Sequence, residues 1–145
     1  MTTEEITDQL ERIACKQDFP AHSAELVDAW RSAGAGPEAV DPILRFMEGH
    51  PHVNFGSPGA VVHFIEGFSG KGYERELIES VRRRPTRCTA WMLNRIINDT
   101  KEPHLREFLL AKLEQAELHP MADDKTRELV RQFLVRLGKY GSAPM

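Results

Sequence analysis

Four prolines, Pro20, Pro51, Pro85 and Pro120, stand 31, 34 and 35 residues apart in a chain of 145. Seven positions before each is an aliphatic residue: Ile13, Leu44, Ile78 and Leu113. Met47, Val81 and Ala116 stand four before the last three, and Lys16 breaks that register at the first. Proline has no backbone N–H and clashes with the preceding turn, so it closes a helix and cannot continue one. Its spacing here marks the break after the first helix of a recurring helix pair. Periods of this length belong to stacked helix pairs, where each unit buries its apolar face only against its neighbours. The tetratricopeptide consensus is absent. The expected fold is therefore all-α, with antiparallel pairs stacked as an irregular HEAT-like α-α superhelix.

Apolar periodicity supports helices throughout. Ile6, Leu10 and Ile13 share one helical face, as do Leu26, Val27 and Trp30, and Leu129, Val130, Phe133 and Leu134. No stretch alternates apolar and polar residues between hairpin turns. Eight helices are predicted, over residues 3–17, 22–33, 38–49, 58–68, 73–83, 87–98, 103–118 and 123–138. One domain over 1–138 and a tail over 139–145 follow. Pro42 is awkward inside the third helix, which can instead begin at Asp41-Pro42 after a short separate turn.

Boundary residues agree with this division. Ser57-Pro58 reads as a cap followed by proline in the first helical position, while Thr86 and Asp123 can cap the sixth and eighth helices. Gly34 and Gly36 end the second helix, and Ser69-Gly-Lys-Gly72 separates the fourth from the fifth.

The chemical temptations have structural readings. His50, His52 and His63 have no spacing that demands a metal; His50 and His119 read as helix C-terminal residues, favoured there by the helix dipole. Gly56-Ser57-Pro58-Gly59 lacks the strand and the spacing of a nucleophile elbow. Gly67-Phe-Ser-Gly-Lys-Gly72 fails the phosphate-loop pattern at Ile65 and at Gly72. Asp123-Asp124 and Glu4-Glu5 occupy first helical turns, where carboxylates stabilise exposed N–H groups. Cys15 and Cys88 read as reduced thiols of a cytoplasmic protein. The opening Met1-Thr-Thr-Glu-Glu-Ile has no apolar signal segment, and no apolar run reaches the roughly 20 residues of a membrane span. No enzyme activity, cofactor, metal or membrane partner is expected.

Charge is divided unevenly. Residues 1–70 carry eleven acids and four bases, whereas 71–145 carry eleven acids and fifteen bases. The cluster Arg82-Arg-Arg-Pro-Thr-Arg87 could hold nucleic-acid phosphates. It also reads as a cationic last helical turn paired with Glu76 and Glu79.

The segment Phe64-Ile-Glu-Gly-Phe-Ser-Gly-Lys-Gly-Tyr-Glu-Arg-Glu-Leu-Ile-Glu-Ser, continued by Arg84-Pro-Thr-Arg-Cys-Thr-Ala-Trp-Met-Leu-Asn-Arg-Ile-Ile-Asn98, resembles small helical immunity proteins of bacterial polymorphic-toxin systems. The likeness covers roughly residues 40–100 and is one of texture, with no diagnostic motif. It implies a cytoplasmic protein that binds and blocks a cognate toxin, often a nuclease. An acidic inhibitor suits a basic toxin surface. Alternatives are a general helical adaptor for another protein or peptide, or a nucleic-acid-associated protein using Arg82–Arg87. The partner-binding candidates are Asn54 and Phe55 in the longest loop, Glu66, Tyr73 and Glu74 around the glycine-rich joint, and Asn94, Asn98 and Asp99 on the sixth helix. Trp30 and Trp91 are assigned to the core.

Overall fold

The structure of the protein, a computed structural model, describes residues 1–56 and 58–138. Among these residues there are eight α-helices, one short 3-10 helix and no strand. The helices are α1 (Thr3–Ile13), α2 (Phe19–Ser32), α3 (Val40–Gly49), α4 (Ala60–Glu66), α5 (Tyr73–Arg83), α6 (Arg87–Asp99), α7 (Pro103–Glu117) and α8 (Asp124–Arg136). The chain is all-α, as its periodicity requires. It gathers into two compact units, Met1–Glu76 and a second beginning at Leu77.

In the first unit α1 packs on α2 and α3, and α2 packs on α4. First helix therefore stacks on first helix, and second on second, as in helix-pair repeats. Ile6, Leu10 and Ile13 of α1 are buried at i, i+4 and i+7, and Ile43, Leu44 and Met47 of α3 are fully enclosed. Trp30 of α2 is fully buried, with its indole N–H donating to Gln9 Oε1 at 2.7 Å and its ring 5.6 Å from Phe64. A buried indole needs such an acceptor.

The second unit packs α6 on α7 and α8, and α7 on α8. Met92, Leu93 and Ile97 meet there with Leu113 and Leu134, all fully buried. Glu117, 7% exposed, receives the Arg131 guanidinium at 2.8 Å and ties α7 to α8.

Local chemistry explains the helix ends. Thr2 caps α1 by accepting from the Glu5 N–H, and Asp123 caps α8 by accepting from the Thr126 N–H. Thr86 caps α6 reciprocally with Thr89: each side chain accepts the other residue's backbone N–H at 3.1 Å. Gly34, at φ 75°, ends α2 in a Schellman arrangement, with Gly34 N–H on Arg31 O and Ala35 N–H on Trp30 O.

Several boundaries move. The loop between α1 and α2 needs residues 14–18, so α1 stops at Ile13 instead of continuing to residue 17, and α2 starts early at Phe19. Pro20 fits in the first turn of α2, where its absent N–H has no helical partner to lose. A 3-10 turn over Pro37–Ala39 precedes α3, which accommodates Pro42 in its first turn. Pro58 lies in a turn, not in α4, whose N-cap is Gly59. A Cβ on Gly59 would stand 1.9 Å from the Phe55 carbonyl oxygen, so the tightness of this loop places the helix start beyond the proline. The expected Ser57 cap and the tail 139–145 lie outside the described residues. α4 ends at Glu66 because Phe68 and Ser69 bond back to Ile65 and Glu66 in tightened i−3 turns.

Candidate protein-binding site

The eight residues expected to contact a partner have different fates. Phe55 is 5% exposed, with its ring edge-on to Phe19 at 5.4 Å and to Phe46 at 6.0 Å. It is a core plug that pins the α3–α4 loop to the start of α2. Tyr73 is 2% exposed and begins the buried row that continues through Leu77 and Val81. Neither ring is an open anchor, because the helix and loop that carry them turn them inward. Asn54 is exposed, yet its Oδ1 accepts the Gly56 N–H at 2.9 Å and shapes the turn. Glu66 is half-buried at the end of α4.

Glu74 holds the glycine-rich joint. Its carboxylate accepts the Ser69 hydroxyl and, at 3.0 Å, the Gly70 N–H. Partial burial raises the Glu74 pKa, but these hydrogen bonds outweigh it and hold the carboxyl below its ordinary value. The joint that superficially resembled a phosphate loop is thus stitched to the first turn of α5 by an anion.

The remaining candidates, Asn94, Asn98 and Asp99, lie on α6. Asn94 is half-buried, while Asn98 and Asp99 are exposed. Trp91 joins them: it is half-buried, not core, and the Arg95 guanidinium sits 4.9 Å from its ring centroid. Residues 91, 94, 95 and 98 recur at helical spacing along one side of α6. The buried side is occupied by Thr89, Ala90, Met92, Leu93 and Ile97. Tryptophan and arginine are both among the residue types enriched at energetic centres of protein interfaces. Asp99 adds a carboxylate at the negative end of the helix dipole, a position that does nothing for α6 itself. Thr100 Oγ1 on Ile96 O at 2.7 Å and Arg106 on Ile97 O at 3.4 Å satisfy the carbonyls at that end.

Sequence reasoning missed Trp91 and Arg95. The available signal was the i, i+4 Trp–Arg pair flanked by two asparagines, which is a poor core pattern. The helical register with Met92 concealed it, because one residue of offset carries a side chain about 100° around the helix.

The other polar groups are occupied structurally. The His50 ring places Nδ1 2.9 Å from Phe46 O and Nε2 2.7 Å from Glu11, and stacks on Phe46 at 4.1 Å. His119 donates from Nε2 to Arg82 O at 2.7 Å and accepts the Met121 N–H on Nδ1 at 3.0 Å. It therefore closes the end of α5 instead of its own helix. Arg82 pairs with Glu79 at 2.7 Å, which holds the Glu79 carboxyl below its ordinary value. Arg84 is half-buried and Pro85 and Thr86 are buried, so the arginine run is not a continuous open surface. Glu76 approaches Arg75 at 3.9 Å, within its own turn. Cys15 and Cys88 are not joined in a disulfide, and the Cys88 thiol lies 3.9 Å from the Met92 sulfur. Among the described residues no three His, Cys, Asp or Glu side chains gather as a metal-binding group, and no helix is long and apolar enough to cross a membrane.

Comparison with protein-family models, with curated proteins and with solved structures finds no match for this chain.

Proposed function

We propose that this chain is a protein-binding immunity protein that neutralises a cognate bacterial toxin by direct contact through the open side of α6. The observation that carries the reading is the Trp91–Arg95 pair, stacked at 4.9 Å on a half-buried face and flanked by Asn94, Asn98 and Asp99. Such a face offers a partner one rigid aromatic anchor, a preorganised guanidinium and short polar groups for directional hydrogen bonds. The toxin assignment comes from the resemblance over roughly residues 40–100, a stretch that includes this same helix. The acidic excess of residues 1–70 suits a partner that works on a polyanion and is itself basic.

The test is affinity purification from native cells, identification of the captured protein by mass spectrometry, and co-expression of that protein with its captor. The expected result is a growth-inhibiting protein whose toxicity is abolished by this chain. Trp91→Ala should remove protection at unchanged expression and speed dissociation by about tenfold to several hundredfold, the range of interface hot spots. Capture of a harmless protein would point to an adaptor instead. Full protection by the Trp91→Ala, Asn98→Ala double variant would show that α6 is not the binding face.

A further inference from the structure

Two histidines of this chain turn their ring nitrogens toward opposite kinds of partner. In the first unit the His50 ring faces two acceptors: Phe46 O lies 2.9 Å from Nδ1, and a Glu11 carboxylate oxygen lies 2.7 Å from Nε2. A carbonyl and a carboxylate only accept, so both contacts are hydrogen bonds only when both ring nitrogens carry hydrogen. That form is the imidazolium. In the second unit His119 faces one acceptor and one donor. Its Nε2 lies 2.7 Å from Arg82 O, and its Nδ1 takes the Met121 N–H at 3.0 Å. Only the neutral ring with its hydrogen on Nε2 makes both bonds, because a proton on Nδ1 sets N–H against N–H.

The surroundings of each ring pull the same way. His50 caps α3 beside a groove whose charged side chains are Glu4, Asp8 and Glu11 of α1 and Asp41 and Arg45 of α3. Arg45 is held by Asp41 at 3.1 Å, which leaves an anionic remainder near the ring. His119 lines a small cavity of about 50 Å³ between α5 and α7 together with Arg82 and Lys112. Arg127 of α8 donates to the His119 carbonyl oxygen at 3.1 Å. The carboxylates at that end are Glu79, paired with Arg82 at 2.7 Å, Asp123, which caps α8, and Asp124, 3.7 Å from Arg127. One ring sits among acids and the other among bases, and a nearby opposite charge favours the imidazolium while a like charge opposes it.

We propose that His50 and His119 are opposed proton-sensitive clasps: uptake of a proton fastens α3 to α1 through His50, and through His119 it unfastens the α7–α8 turn from the end of α5. Both act across the range in which imidazole changes charge, about pH 5 to 8. A folded state that holds a proton gains stability as pH falls, and one that excludes the proton loses it. Mild acid thus steadies the first unit and loosens the second. Both clasps act whatever α6 binds.

The test reads histidine ring-nitrogen spectra and amide exchange of isotope-labelled full-length protein at about pH 5.5 and about pH 8, on either side of the imidazole range. At the higher pH His119 should show the Nε2–H tautomer. On acidification the Met121 amide should open about two- to fivefold more often once the intrinsic exchange rate is removed, the worth of one net hydrogen bond at a half-open site. Urea unfolding gives the second reading. His50→Gln should lower the folding constant relative to wild type more in acid than in base, and His119→Gln more in base than in acid, each by about the same factor. Glu11→Gln keeps the His50 ring and should erase most of the acid-dependent gain of the first clasp. An Nδ1–H tautomer at His119, pH responses of the same sign in the two histidine variants, or a Glu11→Gln protein whose pH response matches wild type would overturn the proposal.

Discussion

Glu74 illustrates how a residue chosen as a surface contact can turn out to be a fastener. Its two acceptor bonds, from Ser69 and Gly70, order a loop that glycine would otherwise leave loose. Glu74→Ala should cost about 1–2 kcal/mol at neutral pH, two hydrogen bonds of which one group is charged. The pH dependence has a definite sign. A carboxyl held below its ordinary value of 4.5 contributes its stability fully above that value and loses it as pH falls through the lowered folded value. Thermal melts of wild type and variant should therefore differ at pH 7 and converge in acid; a gap that widens in acid would contradict the assignment. Phe55, the other reassigned residue, should behave as core. Phe55→Ala is expected to cost about 3–5 kcal/mol in denaturant unfolding, whereas a partner-contact role would leave stability nearly untouched. At the α6 start, Thr86→Ala should cost about 1–2 kcal/mol, because both hydroxyls of the reciprocal cap are buried.

At the level of the element, proline spacing located the helix pairs, and the caps at Thr86 and Asp123 were readable because capping is a local hydrogen bond between near neighbours. Exact register was harder to read. Leu44 is fully enclosed as its place before Pro51 implies, but in the third pair Leu77 is enclosed and Ile78 is only half-buried. The helix is rotated by one residue relative to the aligned repeat, since Tyr73, Leu77 and Val81 at i, i+4 and i+8 form the deeper row. Leu44→Ala and Leu77→Ala should then each cost about 2–5 kcal/mol, and Ile78→Ala about 1 kcal/mol. Equal losses at Leu77 and Ile78 would restore the simple repeat. The candidate site was legible only in part for the same reason. Helix identity follows from apolar periodicity, whereas the side on which Trp91 stands depends on tertiary packing that one sequence does not encode locally.

On the scale of the whole molecule, charge is the property that the sequence specified best, because it needs no geometry. The acidic balance of residues 1–70 against the basic balance of 71–145 predicts salt-sensitive association with a basic partner. Stopped-flow mixing should show association slowing by about tenfold or more between low and high salt, with dissociation much less affected. A salt-independent association rate would remove electrostatic steering from the account. The two tryptophans carry a different message. Trp30 is sealed in the first unit against Phe64, and Trp91 is half-covered in the second beneath Arg95. Each unit thus contains one tryptophan, in surroundings unlike the other's. Emission from Trp30 should lie toward the blue and be shielded from acrylamide, while Trp91 should be quenched more readily. With Trp30→Phe and Trp91→Phe variants, an unfolding trace becomes two traces, and light alone reports whether the halves of this chain melt together or in turn.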